Sequence, residues 1–263
     1  MEAYLLLILT NMLFIYLYIH EVLKNKGKET QYKPSEEQYI EIKQNMDTED
    51  DEGAKEYQGK YDILNSKYYK SLDIYNMKSS GSLILLEKFK TYQQTTSYTC
   101  GCASLIMTLN YVGNEVIGEK DCTEKAGTDK KYGTLPQNLE KTIKDYGYEF
   151  ESKRTFFKEN EEEAYFDEER FSEYIKESLK NKEPIIILSN DWGGHYTVII
   201  GYDDMGTDNI EDDVLIVADP FDTTDHVCDG YTIWSFERLY FQMMVPYLEE
   251  YYFEFFKIKG KSK

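Results

Sequence analysis

The sequence contains little histidine and little cysteine. Among 263 residues there are three histidines, His20, His195 and His226, and four cysteines. A disulfide scaffold needs a much higher cysteine density, so that class of small framework protein is excluded. No CxxC pair occurs, and the Cys and His residues lack the spacing of a zinc site. We therefore predict no metal and no other cofactor.

Positive charge is also scarce. The 30 Lys and Arg residues stand against 49 Asp and Glu residues, for a net charge of −19. A nucleic-acid partner requires a basic face, so this partner class is excluded. The acidic balance taken alone favours cationic or neutral substrates. With 41% hydrophobic residues the chain has enough apolar material for a core, and its length fits one large domain or two small ones.

The stretch 94–105 has the chemistry of a cysteine nucleophile at the start of a buried helix. Cys100 lies in a polar, turn-prone segment, and apolar residues follow at helical spacing: Leu105, Ile106, Leu109 and Val112. A helix N-terminus lowers a thiol pKa and so favours the reactive thiolate. Gln94 precedes the cysteine closely enough for its amide to return and donate to an oxyanion. The charged stretch after the helix, 119–133, is interpreted as an irregular loop.

The partners of such a nucleophile are predicted at the ends of two strands. His195 follows Gly193 and Gly194 and opens an alternating, β-branched segment typical of a strand. A second apolar strand, 214–218, ends at Asp219, whose carboxylate would hold the imidazole in the productive tautomer. His226 and Cys228 form a rival pair. No helix start and no oxyanion donor accompany it, so we interpret these two as loop residues.

At these residues the sequence resembles the papain-like cysteine peptidases, and within them the C39-like peptidase group. The resemblance covers roughly residues 89–241 and is carried by Gln94-x5-Cys100-Gly101-x-Ala103-Ser104, by Gly194-His195-Tyr196 with Val198 and Gly201, and by Asp219-Pro220. Where relatives often carry proline, this chain has a second thiol, Cys102.

The resemblance implies an α+β fold in which the nucleophile helix packs against an antiparallel sheet. It implies that Cys100 is the nucleophile, His195 the general base and acid, Asp219 the orienting residue and Gln94 the oxyanion donor. The expected reaction is hydrolysis of a peptide or protein substrate through a thioester. Two alternatives stay open: acyl transfer or amide and isopeptide cleavage at the same site, and a silent, membrane-tethered binding module.

The remaining chain predicts a modular organisation. Residues 1–23 are strongly apolar and are interpreted as a membrane anchor, with a signal sequence as the alternative and the membrane side undecided. Residues 24–82 are acidic and polar, which is typical of a disordered tether, with a short amphipathic helix over 61–77. A pro-segment is the alternative there. The peptidase domain is placed at 83–246, and 247–263 is expected to be an aromatic and acidic extension.

The two other cysteines allow two interpretations. Cys122 and Cys228 either pair as a disulfide or are buried free thiols, and the free thiols are favoured because nothing else in the sequence indicates a disulfide protein.

Overall fold

The computed structural model describes residues 12–17, 32–43, 46, 52–157, 165–246, 248 and 251–262. It comprises two compact units, Met1–Lys33 and Pro34–Lys263. In the first unit, residues 12–17 are helical and their side chains are exposed. Within the described ranges, no helix has the length and apolar character needed to cross a bilayer. Most of the predicted hydrophobic segment 1–23 lies outside those ranges, so its role as an anchor stays a prediction.

The second unit is α+β, with an antiparallel sheet as predicted. Its described helices are α1 (Cys100–Gly113), α2 (Glu119–Ala126), α3 (Pro136–Asp145), α4 (Lys153–Phe156), α5 (Glu168–Lys180) and α6 (Phe236–Met244). Its described strands are β1 (Leu83–Leu85), β2 (Tyr148–Ser152), β3 (Ile185–Ser189), β4 (His195–Asp203), β5 (Val214–Ala218), β6 (Tyr231–Ser235) and β7 (Phe255–Lys261).

The strands lie in the order β2-β7-β3-β4-β5-β6. Strand β4 is long enough to pair with β3 through its first half and with β1 through its last three residues, while β5 lies along its other edge. Its β-branched and aromatic residues suit a pleated position that is buried on both faces. Strand β4 is thus the central support of the sheet, and His195 is its first residue.

Helix α1 packs directly on β4. The hydroxyl of Ser104 donates to the backbone carbonyl of Tyr196 over 3.0 Å. At Gly101, a Cβ atom would lie 2.8 Å from the Cβ of Thr134 and 3.1 Å from a ring carbon of Tyr196. Only glycine permits this approach, because real Cβ contacts are not so short. The close packing brings the start of α1 beside the start of β4.

Residues 34–82 correct the prediction of a disordered tether, because their described part packs on the domain. The amide of Ile40 donates to the carbonyl of Thr91 over 2.8 Å, and that of Lys55 donates to the carbonyl of Gln94 over 3.0 Å. Five apolar side chains of this segment are buried: Ile40, Ile42, Ala54, Ile74 and Tyr75. The segment is poor in apolar residues on average, and this low average does not reveal that some of them pack against the domain. The acidic stretch 47–51 lies outside the described residues.

The amphipathic helix predicted over 61–77 does not form. The segment is extended or turned, apart from a single 3-10 turn at Ile74–Asn76. It is held by backbone contacts instead, such as the 2.7 Å hydrogen bond from the amide of Ile63 to the carbonyl of His226. Tyr61 and Tyr68 are exposed. The helical spacing of apolar residues was therefore a coincidence of a tyrosine-rich sequence.

The predicted C-terminal extension is also corrected. Residues Phe255–Lys261 form β7, which lies inside the sheet between β2 and β3. Phe255, Phe256 and Ile258 are completely buried. The lysines that alternate with them are neutralised at the sheet surface, where Lys257 lies 2.9 Å from a carboxylate oxygen of Glu151. The folded unit therefore extends on both sides of the predicted boundaries 83–246.

Candidate active site

Cys100 is the first residue of α1 and lies at the floor of a surface cleft. Its side chain is only 7% exposed. The first turn of α1 leaves backbone N–H groups that have no intrahelical acceptor, and the helix dipole adds partial positive charge there. The cleft is lined by Ser97, Tyr98, Cys100, Lys130, Lys131, Tyr132, Gly133, Thr134, Leu188, Trp192, Gly193, Gly194 and Tyr196. The cysteine is therefore the thiol that a substrate in this cleft would meet.

His195 and Asp219 form a buried pair behind the cleft. The imidazole Nε2 lies 2.7 Å from the Oδ1 of Asp219, and both side chains are almost completely buried. The strand register explains the meeting. Ala218 pairs with Val198, so the next residue of the chain falls opposite Thr197, whose side chain shares a face with that of His195. Asp219 is fixed in turn by the amide of Phe221, which donates to its Oδ1 over 2.8 Å.

The charge state of His195 is set by its two neighbours. Burial alone would lower the pKa of the imidazole, but the Asp219 carboxylate and the hydrogen-bonded Cys100 side chain raise the pKa to about 10. Because Asp219 occupies Nε2, the nitrogen left for the thiol is Nδ1. Asp219 and Cys100 are thus the two groups that favour the protonated form of this buried imidazole. The structure thus brings together three of the four predicted site residues.

Gln94 is buried in the loop before α1. Its Nε2 donates to the backbone carbonyl of Thr96 over 2.6 Å, whereas its Oε1 has no hydrogen-bond partner. The backbone of Gln94 is fixed by its amide, which donates to the carbonyl of Pro220 over 2.8 Å, next to Asp219. One proton of Nε2 is used by Thr96, so the second is the one available to a ligand.

A buried glutamate that sequence reasoning missed holds this loop in place. Glu119 is completely buried at the start of α2, in the stretch expected to be irregular. Its carboxylate accepts from the Tyr92 hydroxyl (2.9 Å), the Thr95 amide (3.1 Å) and hydroxyl (2.5 Å), and the Thr99 hydroxyl (2.7 Å). These contacts tie together the chain on both sides of Gln94 and the residue before Cys100. We define residues 92–99 as the nucleophile loop.

The second thiol, Cys102, serves packing. It is fully buried, and its sulfur lies 3.4 Å from the hydroxyl oxygen of Thr128 and 3.8 Å from that of Thr134. Burial raises the pKa of Cys102, but hydrogen bonds from Cys122 and these two threonines outweigh burial and lower it. No solvent reaches this sulfur, whereas Cys100 lines the cleft. Its contacts anchor both ends of the loop 128–134 to α1.

A strained turn also lines the cleft. Trp192 has a positive φ of 53°, which is uncommon for a side chain of this size, and Gly193 and Gly194 follow with φ of 77° and 121°. The indole is 67% exposed and meets the ring of Phe221 edge-on at 5.5 Å. Strain of this kind concentrates at functional sites. The turn delivers His195 to β4 and leaves an aromatic surface at the cleft edge.

The rival pair of His226 and Cys228 finds no support in the described residues. The pKa of the Cys228 thiol is raised to about 12 by burial and by nearby carboxylates, first among them Asp222. All four cysteines are free, so Cys122 and Cys228 are not a disulfide. No group of three or more His, Cys, Asp or Glu side chains within the described ranges is arranged to hold a metal ion.

A helix with an N-terminal cysteine, packed on an antiparallel sheet that carries a His–Asp pair, is the arrangement expected of the papain-like class. The model of the Peptidase_C39 like family matches residues 86–247, more than half of the chain, and the protein therefore belongs to this family. No curated protein matches the chain.

Among the solved structures that are similar to the chain are two proteases of transporters. One is the peptidase domain of Streptococcus ComA, a bi-functional ABC transporter involved in a quorum sensing pathway; the match covers 66% of this chain and 99% of that domain, at 18% identity and a TM-score of 0.40. The other is a double glycine motif protease from an AMS/PCAT transporter, solved in complex with the leader peptide; coverage is 64% and 90%, identity 19% and TM-score 0.38.

Proposed function

We propose that this protein is a cysteine peptidase that hydrolyses peptide bonds at Cys100. The observation that supports the proposal best is the buried His195–Asp219 pair, 2.7 Å apart, set against a thiol at a helix N-terminus. A nucleophile, a base within its reach and a third group that orients the base are the parts that acyl transfer requires. Membership of a peptidase family agrees with this chemistry.

In the proposed first half-reaction, the Cys100 thiolate attacks the carbonyl carbon of the scissile amide. A C–S bond forms, and the carbonyl electron pair moves to oxygen. The backbone N–H of Cys100 and the second Nε2 proton of Gln94 donate to this oxyanion. The C–N bond then breaks as the imidazolium of His195 gives its proton to the leaving amine. Asp219 holds the ring so that the correct nitrogen faces the sulfur.

The second half-reaction releases the thioester. Neutral His195 takes a proton from a water molecule, and the oxygen of that water molecule attacks the thioester carbon. The C–S bond breaks, the thiolate is restored, and the acid product departs. Transfer of the acyl group to an amine would differ only in the identity of the attacking molecule. The cleft is open to solvent along exposed side chains such as Trp192 and Tyr132, which suits an extended peptide.

Alkylation by iodoacetamide tests the catalytic pair directly. The label is located by mass spectrometry on the wild type, on His195→Ala and on Cys102→Ser. We expect Cys100 to react well below the ordinary thiol pKa of about 8.5, because an imidazolium neighbour stabilises the thiolate. His195→Ala should slow this labelling by a factor of about 100 at pH 6, whereas Cys102→Ser should leave it fast.

A fast label on Cys102, or no cysteine faster than a free thiol, would refute the assignment. The reaction type is measured separately by incubating the protein with a tryptic peptide library and mapping new termini, with Cys100→Ser as the control. New free carboxyl termini indicate hydrolysis, whereas peptides joined to amines indicate acyl transfer. If Cys100 is reactive but the peptides stay unchanged, the proposal that the protein is a general peptidase is contradicted.

A further inference from the structure

The cleft has a charge opposite to that of the protein. Of the described residues that line it, two are lysines, Lys130 and Lys131, and none is an aspartate or a glutamate. The whole sequence carries 49 acidic residues against 30 basic ones, so a surface region with cations and no lining carboxylate is unlike the average surface. Both lysines are exposed. Their ammonium groups therefore contribute positive potential at the place where a substrate would enter.

The two lysines lie on a structured turn. Asp129 and Gly133 form an antiparallel bridge, with the amide of Gly133 donating to the carbonyl of Asp129 over 2.8 Å. The carboxylate of Asp129 is engaged by its own turn, since it accepts from the amides of Lys131 and Tyr132, both at 2.8 Å. We call residues 129–133 the lysine turn. The acidic side chain inside it is used to shape the backbone.

The lysine turn is anchored to the nucleophile helix. Thr128 and Thr134, which flank it, share a 2.7 Å hydrogen bond and both contact the sulfur of Cys102 on α1. Thr134 also lies against Gly101, the residue after the nucleophile. The lysine turn is therefore fixed to α1, and its lysines line the same cleft as Cys100 and Trp192.

From this placement we propose that the peptidase selects substrates with a negatively charged group near the scissile bond, which Lys130 and Lys131 bind. The substrate class is an acidic peptide, with Asp, Glu or a terminal carboxylate seated on the lysine turn while the scissile carbonyl lies at Cys100. This inference rests on the proposed function. It reverses the expectation, drawn from net charge alone, that the protein favours cationic or neutral substrates.

Two alkylating reagents that differ in charge test this selection. Iodoacetate carries a carboxylate and iodoacetamide does not, so the ratio of their rate constants at Cys100 measures the local preference for an anion. We expect this ratio to fall about fivefold in Lys130→Gln/Lys131→Gln, because two positive charges that attract the iodoacetate anion are lost. The fall should shrink at high salt, which screens exposed charges. Taking a ratio cancels any change in the reactivity of the sulfur itself.

The matched control is Lys141→Gln/Lys144→Gln on α3, which removes the same charge from exposed positions outside the cleft lining. An equal fall in both double variants would overturn the inference, since it would reflect net charge alone. An unchanged ratio in Lys130→Gln/Lys131→Gln would overturn it as well. Slow iodoacetamide labelling of the wild type is a different result, because it contradicts the proposed function rather than the selection.

The peptide library provides a second readout. Sites cleaved by the wild type should be enriched in Asp and Glu near the cut, and the enrichment should be lost in Lys130→Gln/Lys131→Gln but kept in the α3 control. Cleavage without such enrichment would refute the proposed preference for acidic peptides but would not contradict the proposed peptidase activity. The two proposals therefore fail by different measurements.

Discussion

At the scale of single residues, the buried imidazole of His195 determines the pH behaviour of the protein. Its pKa of about 10 lies above the ordinary value of about 6.5, because the effects of Asp219 and Cys100 outweigh that of burial. The folded protein therefore holds a proton on His195 at neutral pH that the unfolded chain has mostly released. The thiolate proposed for catalysis depends on that proton.

Replacing Asp219 with Asn should lower the pKa of His195 toward or below 6.5, because the carboxylate that favours the charged ring is gone while burial persists. An NMR titration of the His195 ring protons measures the midpoint in both proteins. A midpoint for wild-type His195 near 6.5 would contradict this account.

The same shift predicts how stability varies with pH. The raised pKa contributes stability that is fully present below about pH 6.5 and is lost as the pH rises to about 10. In that window the free energy of unfolding should fall by up to about 1.4 kcal/mol per pH unit from this group. Urea unfolding at several pH values measures the slope, and Asp219→Asn should flatten it. An equal slope in both proteins would assign the effect to other groups.

The site residues differed in how well the sequence predicted them. Cys100, His195 and Asp219 each begin or follow a regular element, so short local patterns were enough to predict their positions in the fold. Glu119 was missed because its partners Tyr92, Thr95 and Thr99 lie 20 to 27 positions earlier in the chain. No local signal marks a buried carboxylate in a charged stretch. Only the folded chain brings its four donors together.

At the scale of elements, α2 supports the nucleophile loop through that one carboxylate. Replacing Glu119 with Gln keeps the volume but turns two strong acceptor oxygens into one acceptor and one donor, facing groups that already donate. We expect a loss of about 2–4 kcal/mol in the free energy of unfolding. We also expect slower iodoacetamide labelling of Cys100, because Thr99 and Gln94 lose their support.

The control is Glu124→Gln, an exposed position on the same helix. Thermal unfolding and the Cys100 labelling rate are measured on both variants. If Glu119→Gln matches the wild type in both thermal unfolding and labelling rate, the nucleophile loop keeps its structure without this carboxylate.

Elements in the middle of the chain were predicted better than those near its ends. Strands β3, β4 and β5 are rich in β-branched residues, and their length and composition identified them. Residues 34–82 and β7 have mixed, charged sequences. Their order comes from partners far away in the chain, such as Thr91 for Ile40 and Ile187 for Phe255. Local composition does not carry that information.

At the scale of the whole molecule, β7 joins the two parts of the sheet. Deleting residues 253–263 removes four completely buried side chains, Phe253, Phe255, Phe256 and Ile258. Each loss of this size costs about 2–5 kcal/mol, and the sum exceeds the usual stability of a domain. We expect no cooperative thermal transition and no fast label on Cys100. Deleting residues 262–263 alone is the control and should preserve both.

A cooperative transition in the longer deletion would show that β2 and β3 find another arrangement. Circular dichroism during heating and the alkylation rate measure the two properties independently.

The position of β7 also has a consequence for synthesis on the ribosome. Strands β2 and β3 are made long before residues 255–261, so a nascent chain carries two unpaired strand edges until β7 emerges. Such edges are templates for association with other chains. We therefore expect chains that end before β7 to associate with one another through these edges.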